Sequence, residues 1–212
     1  MEFSGAKLQI VRAIFENCYR ISNHCLLRFT HKGLIIQAQN TINNALLQIT
    51  MYHDEDYESQ TVTFHGDVPG DLQFTCMGNN LYLNGQPLTY TNEVIFDIEP
   101  IAPVNQCTIN TVDLCHMFLS LSISHNVMTV TCNNQQFVIS TPTVTATFKT
   151  SHVTFDCEFH YIIKSLRVIA FSTPHCMRDA SITIDPSGVL RFFFVVYNSY
   201  GSYTLVLSPV TP

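Results

Sequence analysis

Histidine stands next to cysteine at three places in the chain, and such pairs could bind a metal or form a nucleophile with its base. The pairs are His24-Cys25, Cys115-His116 and His175-Cys176. Adjacent residues of a strand point to opposite faces, so sequence neighbours rarely bind one ion. Zinc sites usually show close, repeated spacing. Chance accounts for these pairs in a chain with nine histidines and eight cysteines, and we predict no metal site.

The acidic segment HDEDYESQ offers four carboxylates to a hard cation, from Asp54, Glu55, Asp56 and Glu58. It lacks the glycine and the terminal glutamate of a calcium loop, so we interpret it as a solvated loop. The chain also has no GxSxG, P-loop or GxGxxG motif. The sequence therefore predicts no catalytic residue and no cofactor, and we expect that the protein is not an enzyme.

Half of the cationic residues lie in two segments with helical spacing. These five of the ten Lys and Arg residues are Lys7, Arg12, Arg20, Lys164 and Arg167. His160, Lys164 and Arg167 recur at i, i+4 and i+7 of one predicted helix, and Arg12 and Arg20 share a face of the other. Taken alone, these cations fit solvated faces of amphipathic helices, where a glutamate between the two arginines could pair with them.

The composition indicates a strand-rich globular protein. Apolar residues make up 46% of the 212 residues and charged residues only 12%, with a formal charge of −6. The charged share is about half of ordinary usage, and the abundant Thr, Val, Ile, Phe and Tyr favour strands. A negative chain needs a local basic face to contact nucleic acid. No apolar run predicts a membrane span, and the irregular cysteine spacing indicates a reducing compartment.

Three segments show the apolar periodicity of helices, at 7–22, 111–123 and 159–172. In the second of them, the residues that we place on the apolar side are Val112, Cys115, Phe118, Leu119 and Leu121. The first and third segments carry the cations described above. These helices would therefore position any cationic surface.

Strands account for most of the remaining chain. In the first half we predict them at 2–7, 24–31, 33–39, 44–51, 61–66, 71–78, 80–91 and 93–98. In the second half we predict them at 107–112, 126–132, 136–141, 143–150 and 152–157, followed by a C-terminal meander. Asn84-Gly85 favours a hairpin turn, and Asp185-Pro186-Ser187-Gly188 fits a type I turn.

The order of strand, helix and strand meander occurs twice, with a period of about 105 residues. The segment EPIAPVNQ at 99–106 has two prolines and no periodicity, which is typical of a linker. We therefore predict an N-terminal domain at 1–98, a linker at 99–106 and a C-terminal domain at 107–212.

This organisation resembles the DNA sliding clamps of the proliferating cell nuclear antigen type. GLIIQAQNTINNALLQITM is similar to a clamp segment in which Gly opens a strand and a polar turn leads to an apolar strand. EFHYIIKSLRVIAFSTPHCMRDASITI resembles the last clamp helix with its exit strand, and SYTLVLSPV the C-terminal strand. MEFSGAK and FDIEPIAPV look more like one subunit of the heterotrimeric DNA-damage checkpoint clamp. The resemblance spans the whole chain.

The resemblance implies an α+β, two-domain DNA-clamp fold with antiparallel sheets outside and helices inside. A clamp domain normally has two helices, whereas the first half of this chain has only 7–22. Where the second helix would stand, the sequence reads FHGDVPGD, and Gly66, Pro69 and Gly70 cannot sustain a helix. We therefore predict a reduced N-terminal domain whose second helix is missing.

The resemblance also places the helices around a hole for duplex DNA, where cations would contact phosphates without reading bases. The DNA-binding residues that it implies are Lys7, Arg12, Arg20, His160, Lys164 and Arg167. The helix at 111–123 carries no Lys or Arg. Binding to bare DNA is therefore expected to be weak and sensitive to salt.

Clamps of this type recruit proteins to an apolar groove beneath the interdomain linker. The residues that the resemblance assigns to this partner groove are Ile95, Ile98 and Ile101 in the linker wall, Val206, Ser208 and Pro209 in the C-terminal wall, and Gln39 and Asn44 in the base. Two amides replace apolar residues, which should weaken binding of an aromatic-bearing peptide. From the residues alone, the three isoleucines also fit ordinary core positions.

The expected partners are duplex DNA, other clamp subunits in a homo- or heterotrimer, client replication or repair proteins and a clamp loader, without a membrane. Subunits would join through edge strands near 143–150 and 88–96. The expected localisation is nuclear, or cytoplasmic for a viral or prokaryotic-like chain. Three other interpretations stay open: a virus-encoded clamp-fold processivity or transcription factor, a structural β protein such as a capsid or interaction module, and a thiol-dependent hydrolase.

Overall fold

A computed structural model describes most of the strands and the helix of the second half. The described residues are 17–18, 20–22, 24–30, 33–40, 45–52, 60–65, 74–77, 80–83, 85–90, 98, 102–121, 125–150, 152–166, 177–196 and 201–211. Their strands are β1 (His24–Thr30), β2 (Gly33–Gln39), β3 (Ala45–Tyr52), β4 (Gln60–His65), β5 (Phe74–Met77), β6 (Asn80–Leu83), β7 (Gln86–Pro87), β8 (Thr89–Tyr90), β9 (Asn105–Asn110), β10 (Val127–Asn133), β11 (Gln136–Ser140), β12 (Thr145–Lys149), β13 (Cys157–Ile162), β14 (Met177–Ile184), β15 (Leu190–Val196) and β16 (Gly201–Leu207).

Nine of these strands form one antiparallel sheet, here called the long sheet, in the order β8-β4-β1-β2-β3-β16-β15-β14-β9. Two meanders, β1 to β3 and β14 to β16, meet where β3 pairs with β16 and Leu47 lies opposite Leu205. Residues alternate between the two faces of each strand. The pattern in β3 is typical, since Leu47 and Ile49 are buried while Leu46 and Gln48 are only partly covered. The buried face packs on the core.

Glycines open two strands that flank β3, and both positions exclude a side chain. A Cβ atom on Gly33, whose φ is +147°, would lie 1.9 Å from the carbonyl oxygen of Met51. A Cβ atom on Gly201 would lie 2.0 Å from the carbonyl oxygen of Thr50. The end of β3 is therefore enclosed by backbone on both sides.

The second half adds a four-stranded sheet in the order β12-β11-β10-β13, here called the small sheet. The helix α1 (Thr111–Ser120) packs against β14 and β9. It begins at the N-cap Asn110, whose Oδ1 accepts a hydrogen bond from Val112 N at 2.9 Å. The rings of Phe118 and Phe192 meet edge to face at 5.6 Å, which joins the helix to the long sheet.

The apolar side predicted for α1 was partly wrong. Val112 and Leu119 are 46% and 57% exposed, whereas Leu114 and Phe118 are buried. The buried side is therefore rotated from the predicted one. No helix among the described residues has the length and apolar character needed to cross a membrane.

The strand predicted at 152–157 and the helix predicted at 159–172 were also wrong in their described parts. The strand β13 covers Cys157–Ile162, and a short 3-10 helix follows at Ile163–Leu166. Tyr161 is fully buried, and its hydroxyl donates to the carbonyl oxygen of Gly188 at 2.6 Å. Because β10 supplies a partner strand along the whole segment, alternation between two faces prevails over helical spacing. The remainder of the predicted helix, 167–172, lies outside the described residues.

Several other predictions were confirmed. The strands predicted at 24–31, 33–39 and 44–51 match β1, β2 and β3 to within a residue at each end. A turn is present at the predicted residues after β14, where Gly188 N donates to Asp185 O at 2.9 Å. The predicted linker at 99–106 extends too far, because β9 begins at Asn105.

The predicted end of the first helix agrees with the structure, since Asn17, Cys18, Arg20 and Ile21 are helical. Residues 66–73, where we predict no second helix, lie outside the described residues.

Candidate partner groove and cationic surface

The strand register places two predicted groove residues in one row across the outward face of the long sheet. Gln39 lies opposite Leu46, Leu46 opposite Val206, and Val206 opposite Arg191. We call these four residues the groove row. Gln39, Leu46 and Val206 are half-buried, whereas Arg191 is buried. The row therefore presents an amide, two apolar side chains and a buried cation.

Arg191 connects this row to the linker. Its Nε donates to the carbonyl oxygen of Ile98 at 2.9 Å, and its Nη1 lies 2.9 Å from Asp185 Oδ2. Nη1 also donates to the carbonyl oxygen of Val189 at 3.2 Å. We call Arg191, Asp185 and Ile98 the linker latch. Ile98, which was predicted for the linker wall, is thereby held beside the groove row.

Asp185 is preorganised to accept this cation. Its side chain is fully buried, and Oδ1 accepts hydrogen bonds from Ser187 N at 3.0 Å and Val189 N at 3.1 Å. Burial acts to raise the pKa of Asp185, but hydrogen bonds from Ser187 and Arg191 outweigh it, so this pKa is lowered. The carboxylate is therefore charged at neutral pH and satisfied on both oxygens.

The C-terminal wall is partly described. Ser208 and Pro209 are half-buried and follow β16 directly. Val210 N then donates to the carbonyl oxygen of His160 at 2.8 Å, which ties the C-terminal segment to the small sheet. Asn44, Ile95 and Ile101 lie outside the described residues.

Sequence reasoning missed the latch. The one signal available was a single arginine inside the apolar strand sequence VLRFFFVV, six residues after an aspartate in a turn. A charge at a strand position among apolar neighbours requires a partner. The linker carbonyl that completes the latch is 93 positions away in the sequence, and no local pattern identifies it.

The predicted cationic residues that the structure describes lie on three different elements. Arg20 is exposed at the end of the first helical segment, and Lys164 is exposed in the 3-10 helix. His160 lies in β13 instead, with Nδ1 3.0 Å from Thr129 Oγ1. The predicted helical face of His160, Lys164 and Arg167 was therefore wrong for His160. Lys7, Arg12 and Arg167 lie outside the described residues.

The exposed side of α1 has no cation. It presents Val112, Asp113, His116 and Leu119.

The candidate edge strands are at the ends of their sheets. β12 ends the small sheet, with exposed Thr145, Thr147 and Lys149 on its outward face. β8 (Thr89–Tyr90) ends the long sheet. Within the part of the chain that the structure describes, each has one row of backbone groups without a partner strand in its sheet.

The described part of the chain shows no group of three or more His, Cys, Asp or Glu residues that could hold a metal ion. Cys115 is buried while its neighbour His116 is exposed. The acidic residues Asp54 to Glu58 and the His175-Cys176 pair lie outside the described residues.

No protein-family model matches the chain, and no curated protein sequence matches it. Solved structures do match. The chain is similar to the PCNA2-PCNA3 complex of Sulfolobus tokodaii, with a TM-score of 0.68, 12% identity and coverage of 94% of this chain and 95% of that one. It is similar to the proliferating cellular nuclear antigen of Entamoeba histolytica, with a TM-score of 0.69, 13% identity and 95% coverage of both chains. The predicted fold is confirmed: this is a two-domain sliding-clamp fold of the proliferating cell nuclear antigen type.

Proposed function

We propose that the chain is a subunit of a DNA clamp, which encircles duplex DNA with other clamp subunits and serves as a platform for replication, repair or checkpoint factors. The observation that carries this proposal is the fold match over about 95% of both chains, which includes both domains. The subunit acts as a scaffold and has no reaction of its own. Its proposed place is the nucleus, or the cytoplasm for a viral chain.

The edge strands support assembly. An end strand with exposed backbone groups is a template for pairing with another chain. β12 and the segment that contains β8 are such ends, on different sheets. Pairing of β12 of one subunit with the β8 edge of the next joins unlike surfaces, and such contacts close into a ring when the rotation permits. The partners are copies of this chain or related chains.

DNA contacts in this proposal come from few cations. Lys164 and Arg20 are exposed, and we propose that Lys7, Arg12 and Arg167 join them, with His160 as a neighbour in β13. Because α1 adds no cation, retention on DNA depends on topology more than on charge. Each phosphate contact contributes to the salt dependence of binding.

The partner groove in this proposal is more polar than an apolar peptide slot. Its base combines Gln39 and the buried Arg191 with Leu46 and Val206. The Gln39 amide would offer hydrogen bonds to a bound peptide, and Leu46 and Val206 would offer apolar contacts. We propose that client proteins use a peptide with a polar residue at the centre, because burying an apolar residue on the amide would leave it unsatisfied.

The charge contribution is tested by reversing one cation. Lys164→Glu should weaken binding to duplex DNA and reduce the slope of log affinity against log salt by about one phosphate contact. The matched control is Thr108→Glu, because Thr108 is exposed on the outward face of β9. DNA affinity measured by fluorescence anisotropy should change little in the control. Equal loss in both variants, or none in Lys164→Glu, would contradict the assignment of Lys164.

A structural β protein is the alternative. Native mass spectrometry of the chain, alone and mixed with candidate clamp subunits, distinguishes the two. A closed assembly of three chains supports the clamp, whereas an open series of sizes favours a structural module.

A further inference from the structure

Two cysteines face each other in the small sheet. Cys132 on β10 lies directly opposite Cys157, the first residue of β13. Both are free thiols; Cys132 is fully buried and Cys157 is half-buried. Residues directly opposite in an antiparallel pair have Cα atoms about 4.5–5.5 Å apart. This spacing lies within the range that a disulfide bridges, about 4.4–6.8 Å.

The surroundings of Cys157 favour its thiolate. Asn105 Nδ2 points at Cys157 Sγ from 3.6 Å, and its Oδ1 is held by Thr154 N at 2.7 Å and Phe155 N at 3.2 Å. The amide is thus fixed with its donor towards the sulfur. A thiolate with fixed donors is the form that reacts.

We propose that Cys132 and Cys157 form a reactive thiol pair that low-molecular-weight disulfides, such as oxidised glutathione, convert into an intramolecular disulfide. This inference rests on the small sheet alone and does not depend on the clamp function.

The reaction proceeds by two exchanges. The thiolate of Cys157 attacks one sulfur of the small disulfide, whose S–S bond breaks, and one small thiolate leaves and takes a proton. Cys132 then loses its proton and attacks the Cys157 sulfur of the mixed disulfide, releasing the second small thiol. Two protein thiols are oxidised and one small disulfide is reduced to two thiols. Cys157 is the first nucleophile because it is the partly exposed member of the pair.

The pKa values of the two thiols also favour Cys157 as the first nucleophile. The hydrogen bond from Cys132 lowers the pKa of Cys157 to about 7, and the carboxylate of Asp156 acts in the opposite direction. The pKa of Cys132 is raised by its hydrogen bond to Cys157 and by burial, with a further contribution from Cys107. Tyr161 is the remaining titratable group that interacts with both thiols, and burial keeps it neutral by raising its pKa. Alkylation of Cys157 should therefore accelerate as the pH rises through about 7.

The chain contains an internal comparison. Cys18 and Cys25 also hydrogen-bond to each other, but both are buried, at 0% and 4% exposure. Burial raises the pKa of Cys18 well above its ordinary value. Neither sulfur offers a small disulfide the access that Cys157 has, so this second pair should remain reduced.

The test incubates the native full chain with oxidised glutathione, alkylates the remaining thiols with iodoacetamide and maps disulfides in a digest made without reduction. The expected result is a Cys132–Cys157 linkage, with Cys18 and Cys25 recovered as thiols. Cys132→Ser should stop at the glutathione mixed disulfide on Cys157. The control Cys115→Ser, which removes a buried cysteine of α1 outside the pair, should form the linkage as the wild type does.

A second measurement applies if Cys132→Ser fails to fold. Timed alkylation of the native wild type should label Cys157 first among the cysteines that the structure describes. Free thiols at both Cys132 and Cys157 after prolonged exposure to oxidised glutathione would overturn the proposal. So would a Cys18–Cys25 linkage that forms equally fast, or uniformly slow alkylation of all these cysteines.

Discussion

The meanders β1 to β3 and β14 to β16 meet at the β3–β16 pair, and they use different polar groups on their outward faces. In the first meander, Gln37 and Gln48 are cross-strand partners, and Gln37 Nε2 donates to Gln48 Oε1. In the second, the buried Arg191 pairs with the buried Asp185. A neutral amide pair costs less to bury than a charge pair. The charged pair is the one that reaches a third segment, through the carbonyl oxygen of Ile98.

The two polar pairs therefore differ in what they join: the Arg191–Asp185 pair contacts the linker, whereas the Gln37–Gln48 hydrogen bond joins two neighbouring strands. The latch joins a turn, a strand and the linker, so its loss should disturb both stability and the groove row.

Replacing Arg191 with Met should have the largest effect. The variant leaves Asp185 buried without its cation, and breaking a buried ion pair from one side costs about 3–5 kcal/mol. The free energy of unfolding in urea measures this loss. Lys149→Met, at an exposed position, is the control and should change stability by less than about 0.5 kcal/mol.

A double variant tests whether the loss in Arg191→Met comes from the buried charge on Asp185. The double variant Arg191→Met with Asp185→Asn should regain part of the loss, because it removes the buried charge that was left behind. A loss in Arg191→Met no larger than that in Lys149→Met would show that the latch does not stabilise the fold.

Asp185 should also make the free energy of unfolding depend on pH, with a smaller change than that in Arg191→Met. The folded-state pKa of Asp185 is lowered, so its contribution is full above the unfolded value of about 3.9 and is lost as the pH falls through the folded pKa. The gap in unfolding free energy between wild type and Asp185→Asn should therefore be widest near neutral pH and narrow in acid below about pH 4. A gap that stays constant into strong acid would refute this account of Asp185.

Breaking the Gln37–Gln48 hydrogen bond should lower the free energy of unfolding by the smallest amount. Gln37→Leu leaves Gln48 without this partner in a half-buried place and should destabilise the protein by about 1 kcal/mol. Adding Gln48→Leu should restore much of that, since both polar partners are then replaced. Thermal unfolding of the three proteins gives the comparison. If Gln37→Leu destabilises the protein as much as Arg191→Met does, the amide pair and the ion pair contribute equally, which would contradict the proposed difference between the two meanders.

The strands of the first meander could be predicted because their signals are local. Gly33 opens β2, and the alternation in ALLQITMY gives the two faces of β3. The clamp fold was predicted from the order of such elements and is confirmed. By contrast, most of β13 was predicted as helix because His160, Lys164 and Arg167 fit one helical face at i, i+4 and i+7. The partner strand β10, which decides between the two periodicities, is not visible in the segment itself.

The candidate partner groove could be predicted only in part, again because pairing between distant segments forms it. Gln39 and Val206 were assigned by resemblance, and the register brings them into one row. Leu46 and Arg191, which complete the row, and Asp185, which holds Arg191, depend on pairings between distant segments. Such contacts follow from the fold and leave almost no trace in local sequence.

Retention on DNA with blocked ends tests whether the protein encircles duplex DNA as part of a ring. The protein, with its candidate partner subunits, is added to a bead-attached duplex, the free end is blocked, and the beads are washed at high salt. A ring around the duplex should remain after the wash and leave when the DNA is cut, because topology holds it while ionic contacts are screened. Loss in the wash from blocked and open duplexes alike, or retention that cutting does not change, would contradict a clamp that encircles DNA.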